Sequence, residues 1–357
     1  MHRPSSKIID FPGRTNLDRR VAITILACAL AACDRRVSSA GQGPLDTSLL
    51  DRQFPALAER ASPGVFDAGV MSPATGHSWF WNADKSFPME SVFMLPLAAA
   101  ALAEVDAGRL KLGERIKITD RDLSPPYSAI DQAWPTPPGH HAAQMPAIDL
   151  IALAVQASDN TAADVIMKRI GGPGAVTAWL RQVRLSDMRV DRYARELQQD
   201  LAGMESFRPQ WKDEAVWLAA RDTVAADARE AAMNTYVDDP RDSVTVRGVV
   251  GFLSRLSLGE LLSAASTRLL LGLMSTSRAG VNRLAAGLPA GAVLAHKSGG
   301  ARTDLGFTAI TDDVGIVTFK GGRRLVMAAF LARSTATQNE RDKLFADTAR
   351  LFTEALR

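Results

Sequence analysis

The chain has 357 residues, a formal charge of +3 at pH 7, 46% hydrophobic and 23% charged residues. That length suits one large domain or two intimate ones, with enough apolar side chain for a sizeable core. The basic residues are scattered among acidic ones, which leaves no electrostatic footprint for nucleic acid.

The first 33 residues read as an export signal outside the fold. Lys7, Arg14, Arg19 and Arg20 precede the apolar run Val21 to Ala32, which is too short to span a bilayer as a stable helix. The run ends Leu30-Ala31-Ala32-Cys33, which resembles the bacterial lipobox, in which the cysteine is lipidated and becomes the first residue. An ordinary signal with a chance cysteine is the alternative, and Arg19-Arg20 also suits twin-arginine export. The expected location is the periplasm, with a membrane anchor at Cys33 and a flexible linker over 34–48. Cys28 leaves with the signal, so the mature chain forms no internal disulfide and relies on its core.

Leu49 to Arg60 has helical apolar spacing. Val65 to Met71 and Ser78 to Asn82 read as strands around the turn signal Ser72-Pro73-Ala74-Thr75-Gly76. An apolar, alanine-rich helix opens at Ser91 and stops at Gly108. Taken alone, Ser91 is an N-cap; at the mouth of a buried helix it also has N–H groups and partial positive charge at hand for a developing oxyanion. Lys111 to Pro146 is proline-rich and loop-like. His140-His141 sit in that loop without further ligands at metal spacing, so they read as loop histidines and no metal is expected.

A helix over Ile148 to Ala157 delivers Ser158-Asp159-Asn160, and the next ends at Gly171-Gly172-Pro173. Leu201 to Asp238 carries Trp211, Trp217 and alanine-rich helical stretches, expected as a surface elaboration; lining the site entrance is the other reading. After Leu288-Pro289-Ala290-Gly291 the pattern turns to strands: Val293 to His296, Gly306 to Thr311, Val314 to Phe319 and Leu325 to Ala332. Turns are expected at Asp312-Asp313 and at Lys320-Gly321-Gly322-Arg323. Thr337 with Glu340 forms a capping box that opens a last amphipathic helix. The order implies an α+β fold: an antiparallel sheet of about five strands flanked by helices, over 49–110 and 250–357, interrupted by an all-helical domain over 111–249.

Ser91, Ser158-Asp159-Asn160 and Lys297-Ser298-Gly299 are each weak alone. In this order they resemble the motifs of the class A β-lactamases, within the wider family of serine β-lactamases and penicillin-binding proteins. The flanks Phe87-Pro88-Met89, Gly171-Gly172-Pro173, Val190-Asp191-Arg192-Tyr193, Asp239-Pro240-Arg241-Asp242 and Leu288-Pro289-Ala290-Gly291 strengthen the likeness, which runs from about Leu49 to the C-terminus. The resemblance implies that Ser91 is a nucleophile forming an acyl-enzyme, with its own N–H and that of Gly300 as oxyanion hole. It implies that Ser158 passes a proton toward the lactam nitrogen and that Asn160 holds the side-chain amide of the substrate. Lys297 sets a positive potential, and Ser298 with Gly299 meets the substrate carboxylate. It implies no cofactor, a monomer, and a β-lactam or peptidoglycan stem peptide as small-molecule partner.

Two positions depart from that family. Its first motif is Ser-x-x-Lys, but here the fourth residue is Met94, a thioether that cannot take a proton from serine. Its loop motif is Asp-Arg-x-Glu, whose glutamate activates the deacylating water, but here that position is Ala194. Glu196, two residues later, is the substitute base that a shifted loop would bring in, and Gln198 stands where the family often has asparagine. Losing a positioned base costs about 10²–10⁴-fold in rate. The sequence therefore predicts a β-lactamase-type serine hydrolase with weak or absent turnover. A non-catalytic binder of β-lactams or stem peptides is the alternative, and a D-Ala-D-Ala peptidase the second, which Met94 disfavours equally.

Overall fold

A computed structural model describes Ile8–Ile9, 44–134, 141–205, Arg208, Trp211 and 213–356. The rest of the export signal, with Cys33, most of the linker and His140 lie outside the described residues. Ile8–Ile9 pair in parallel with Ala142–Ala143, a contact the reading of 1–33 as a segment outside the fold did not anticipate.

The central sheet has five antiparallel strands: β1 (Val65–Met71), β2 (Ser78–Trp81), β7 (Val293–Gly300), β8 (Thr308–Thr318) and β9 (Arg324–Ser334), in the order β2-β1-β9-β8-β7. One face is covered by α1 (Thr47–Glu59) and α12 (Gln338–Glu354), where Phe54, Phe66, Phe345 and Phe352 pack with Trp79. The capping box at Thr337 and Glu340 is present as expected. On the opposite face the sheet meets a larger apolar core built around α2 (Met94–Asp106), whose residues from Met94 to Leu102 are all buried. A helix apolar all round belongs in the middle of a core, and here it is enclosed by other helices.

Two strand expectations need correction. Asp312-Asp313 is not a turn: β8 runs unbroken for 11 residues and both aspartates are fully buried within it. The segment after Lys111 is not all loop: β4 (Arg115–Thr119) pairs antiparallel with β5 (Ala142–Pro146). Its Arg-Ile-Lys-Ile-Thr alternation is a strand pattern, which the neighbouring prolines obscured.

The helical part contains a short α3 (Ala129–Gln132), then α4 (Ala147–Ala157), α5 (Asn160–Arg169), α6 (Pro173–Gln182), α7 (Ala194–Ala202), α8 (Glu214–Asp222) and α9 (Ala226–Asp238). β6 (Ser243–Thr245) then pairs with β3 (Ser86–Pro88), which ties the end of this part to the strand just before Ser91. The chain continues through α10 (Val246–Ser257) and α11 (Ala264–Ser275) into β7.

Candidate active site

Ser91 does not cap an α-helix; it sits half-buried in a 3₁₀ turn, Glu90–Phe93, that leads into α2. Glu90 holds a left-handed φ of 43°, a conformation that costs a non-glycine residue about 1–3 kcal/mol and marks sites where a neighbour must be aimed. The turn rests against β7, and Gly299 makes that approach possible. A Cβ on Gly299 would lie 2.6 Å from Asp312 Oδ1 and 3.0 Å from the Ser91 nitrogen.

β7 is an edge strand. Ala301 donates its N–H inward to the Ile310 carbonyl, so by ladder alternation the Gly300 N–H points away from β8, into the open edge. Two backbone donors predicted for an oxyanion, those of Ser91 and Gly300, therefore come from adjoining elements. Ser298 packs its side chain against Gly280, whose φ of +74° and missing Cβ leave room for it. Arg283 braces the strand from beneath, donating to the carbonyls of Gly299 (2.6 Å) and Asp312 (2.8 Å).

Lys297 is fully buried and donates to the Ser158 hydroxyl and to the Ser298 carbonyl (2.8 Å). Ser158 ends α4 in a left-handed conformation, φ 54° and ψ 36°, which turns its side chain toward β7. Asp159 then caps α5, accepting from the Ala162 N–H at 2.8 Å, and also holds Ser128 and the Ile130 N–H. Asn160 donates to the Pro126 carbonyl at 2.5 Å. The three residues of one short motif thus tie α4, α5 and the 125–130 loop to β7.

Burial pushes the Lys297 amine down to about 7, opposed by Asp312 and Asp313. Asp313 spends its carboxylate on His296 Nδ1 (2.8 Å) and the Leu284 N–H (3.2 Å). Asp312 has no hydrogen-bond partner on either oxygen, and burial drives its carboxyl well above the usual range. Glu90 is buried too, pushed up to about 7, with Oε2 accepting from Gln198 Nε2 at 3.1 Å and Oε1 unpartnered.

Met94 is fully buried in the apolar core and Ala194 is 1% exposed, so neither position offers a proton acceptor. Ala194 stands at the start of α7, with its N–H (2.6 Å) and that of Arg195 (3.2 Å) held by the buried Asp164. Glu196 is exposed and its carboxylate accepts from the Tyr193 N–H at 2.9 Å, capping the helix. At the neck of this loop, the nearly buried Arg192 guanidinium meets Asp242 (2.5 Å), Asp239 (3.2 Å) and Asp200 (2.5 Å).

The segment over 201–238 is more than a surface elaboration. Arg302, two residues past Gly300, donates to the Tyr127 hydroxyl and to Glu214 at the start of α8, each at 3.2 Å. Tyr127, Ser128, Glu214 and Leu218 line a cavity of about 360 Å³ beside the Asn160 loop. Arg229 on α9 reaches Asp304 at 2.8 Å. The insertion therefore spans from the loop over Ser158 to the end of β7.

Sequence reasoning missed Glu90, Asp164, Arg283 and Asp312. No periodicity announced Asp312, because the apolar residues around it fall on both parities: Phe307, Ala309, Val317 and Phe319 on one, Ile310, Val314 and Ile316 on the other. Among the described residues no group of three or more His, Cys, Asp and Glu is placed to hold a metal ion. No helix among them is long and apolar enough to cross a membrane.

This five-stranded antiparallel sheet with its helical part, and a serine turn set against a Lys-Ser-Gly edge strand, define a class A β-lactamase fold. The model of the beta-lactamase enzyme family matches residues 49–356, and the chain belongs to that family. It is 27% identical over 271 residues to beta-lactamase VEB-1 of Pseudomonas aeruginosa, covering 76% of this chain and 78% of that one. The structure of the class A β-lactamase of the last common ancestor of Gram-negative bacteria superposes with a TM-score of 0.68 at 30% identity, over 86% of this chain and 99% of that one. A β-lactamase from Chitinophaga pinensis gives the same TM-score at 27% identity, over 86% of this chain and all of that one.

Proposed function

We propose that the protein takes β-lactams as covalent substrates on Ser91 and releases them slowly or not at all. The chain is of the class A serine hydrolase type, and its substrate-facing residues Ser158, Asn160, Lys297, Ser298 and Gly299 remain together around β7. The observation that carries the reading is Ala194, buried where the family has its deacylating glutamate, with Glu196 committed to an exposed helix cap. A catalytically inert binder of β-lactams or stem peptides is the second reading, favoured by Met94. A D-Ala-D-Ala peptidase shares the dependence on the Ser-x-x-Lys lysine and is weakened equally. Export to the periplasm, with a lipid anchor at Cys33, belongs to the same proposal.

The mature chain, residues 34–357, is mixed with a chromogenic cephalosporin and followed by absorbance and intact mass. The expected outcome is a persistent adduct mapping to Ser91 with at most slow colour change. No adduct with reversible binding makes the protein an inert binder; rapid steady turnover overturns the reading of Ala194.

A further inference from the structure

We propose that Lys297, acting through Ser158, is the proton acceptor when Ser91 is acylated, and so takes over the part of the missing Ser-x-x-Lys lysine. The inference rests on the reading of Ser91 as a nucleophile toward β-lactams.

Three observations carry it. Lys297 is fully enclosed, and its nitrogen is hydrogen-bonded directly to the Ser158 hydroxyl, the group that adjoins the lactam nitrogen in the family reading. Among the described residues no carboxylate is hydrogen-bonded or ion-paired to that nitrogen. Asp312 shares its face of the sheet yet leaves both oxygens without a hydrogen-bond partner, and Asp313 is bound to His296 and Leu284. Arg283 faces the same place from the loop before β7 and opposes a second positive charge there. Burial without an ion pair favours the neutral amine, whose lone pair can accept the Ser158 proton. An arginine in its place could supply charge but no such lone pair. The third observation is the apolar, fully buried Met94, which leaves that function unfilled on α2.

The step balances within the chain. The Ser91 proton moves to Ser158 Oγ as the Ser158 proton moves to Lys297 Nζ, and the Ser91 Oγ–carbon bond forms at the lactam carbonyl. As the intermediate collapses, the ring C–N bond breaks and the nitrogen takes a proton from Ser158, which recovers one from the Lys297 ammonium. One proton has travelled from Ser91 to the ring nitrogen, and Lys297 is neutral again. Nothing in this relay activates a water at Ala194, so the ester persists.

The test is rapid-quench intact mass with benzylpenicillin between pH 5.5 and 9. Native protein is expected to acylate about tenfold faster per pH unit up to about 7 and then level off, following the neutral Lys297 amine. Glu90 titrates in the same range, and Glu90→Gln is expected to keep the midpoint. Lys297→Arg preserves the charge and is expected to slow acylation about 100-fold or more at pH 8. Ser158→Gly, at a left-handed position that glycine tolerates, breaks the relay from its half-exposed end and is expected to do the same. Folding of each variant is checked by circular dichroism melting. Acylation of Lys297→Arg within about threefold of native, with the same profile, overturns the relay in favour of a purely electrostatic lysine. If native protein forms no adduct but Met94→Lys acylates on Ser91, the relay is wrong while the β-lactam reading stands. If neither forms an adduct, the β-lactam reading falls and the relay with it.

Discussion

The two walls of the cleft have diverged. On one, β7 and the turn after α4 keep every hydroxyl, amide and amine that the motifs predict, pinned by Lys297–Ser158 and Asn160–Pro126 contacts. On the other, α2 and α7 carry Met94 and Ala194, buried and apolar where the family resemblance implies proton acceptors. On the reading proposed above, taking up the Ser91 proton and activating a water are separable demands on one fold, since Lys297 and Ser158 serve the first from the β7 wall. In that reading, binding and acylation draw on groups of β7 and the α4–α5 turn, whereas water activation needs a base on the opposite helices. Apolar replacement there is structurally easy, because it removes desolvated charge from a close-packed interior.

Restoring the poorer wall should give the largest effect. Met94→Lys with Ala194→Glu is expected to raise steady turnover of a chromogenic cephalosporin by about 10²–10⁴-fold, read from initial rates. The same variant is expected to melt no higher than native, since both new groups enter buried positions. A melting point several degrees higher would contradict that.

The next effect breaks the frame shared by both walls. Arg192 is 5% exposed and holds the neck of the long loop through Asp242, which is 1% exposed. Arg192→Ala strips that buried carboxylate of its ion pair, leaving only the N–H groups of residues 191 and 192 on Oδ1, and is expected to cost about 3 kcal/mol, measured by urea unfolding. Cleavage by trypsin between 193 and 241 should appear at the same time. A loss under about 1 kcal/mol would show that the loop is closed by other contacts.

A subtler effect separates the walls by pH. Glu90 and Asp131, each raised to about 7, and Asp164 and Asp67, each raised to about 6, hold more protons folded than unfolded between about pH 4 and 7. Unfolding there releases protons, so their contribution favours the fold near pH 5 and is lost as pH rises to 7. Lys297 has the opposite sign: lowered to about 7, it takes up a proton on unfolding above that, and stability recovers between about 7 and 10. The melting temperature should therefore pass through a minimum near pH 7. Glu90→Gln removes one descending contribution and is expected to flatten the slope between pH 5 and 7. A melting curve that rises steadily from 5 to 7 would refute the assignment.

The family and the five-strand sheet flanked by helices were legible in the sequence, and the expectation of missing bases at Met94 and Ala194 comes from there as well. Those follow from local facts. Ser-x-x-Met lacks a base whatever surrounds it, and Lys297-Ser298-Gly299 lies on a strand because an apolar run feeds into it. Helix ends such as the Thr337–Glu340 box are equally local, since capping involves residues three apart. Folding was needed to give the buried charges their partners. Asp312-Asp313 looks like a turn until His296, the Leu284 N–H and Gly299 arrive from other elements and make room for two carboxylates inside a strand. Glu196 looks like a spare base until the start of α7 engages its carboxylate with the Tyr193 N–H. The reach of the 201–238 insertion to Tyr127 and Arg302 was likewise invisible, because it depends on partners about 90 residues away. A carboxylate or amine has no fixed role in a chain; desolvation and the partners brought by folding give it one.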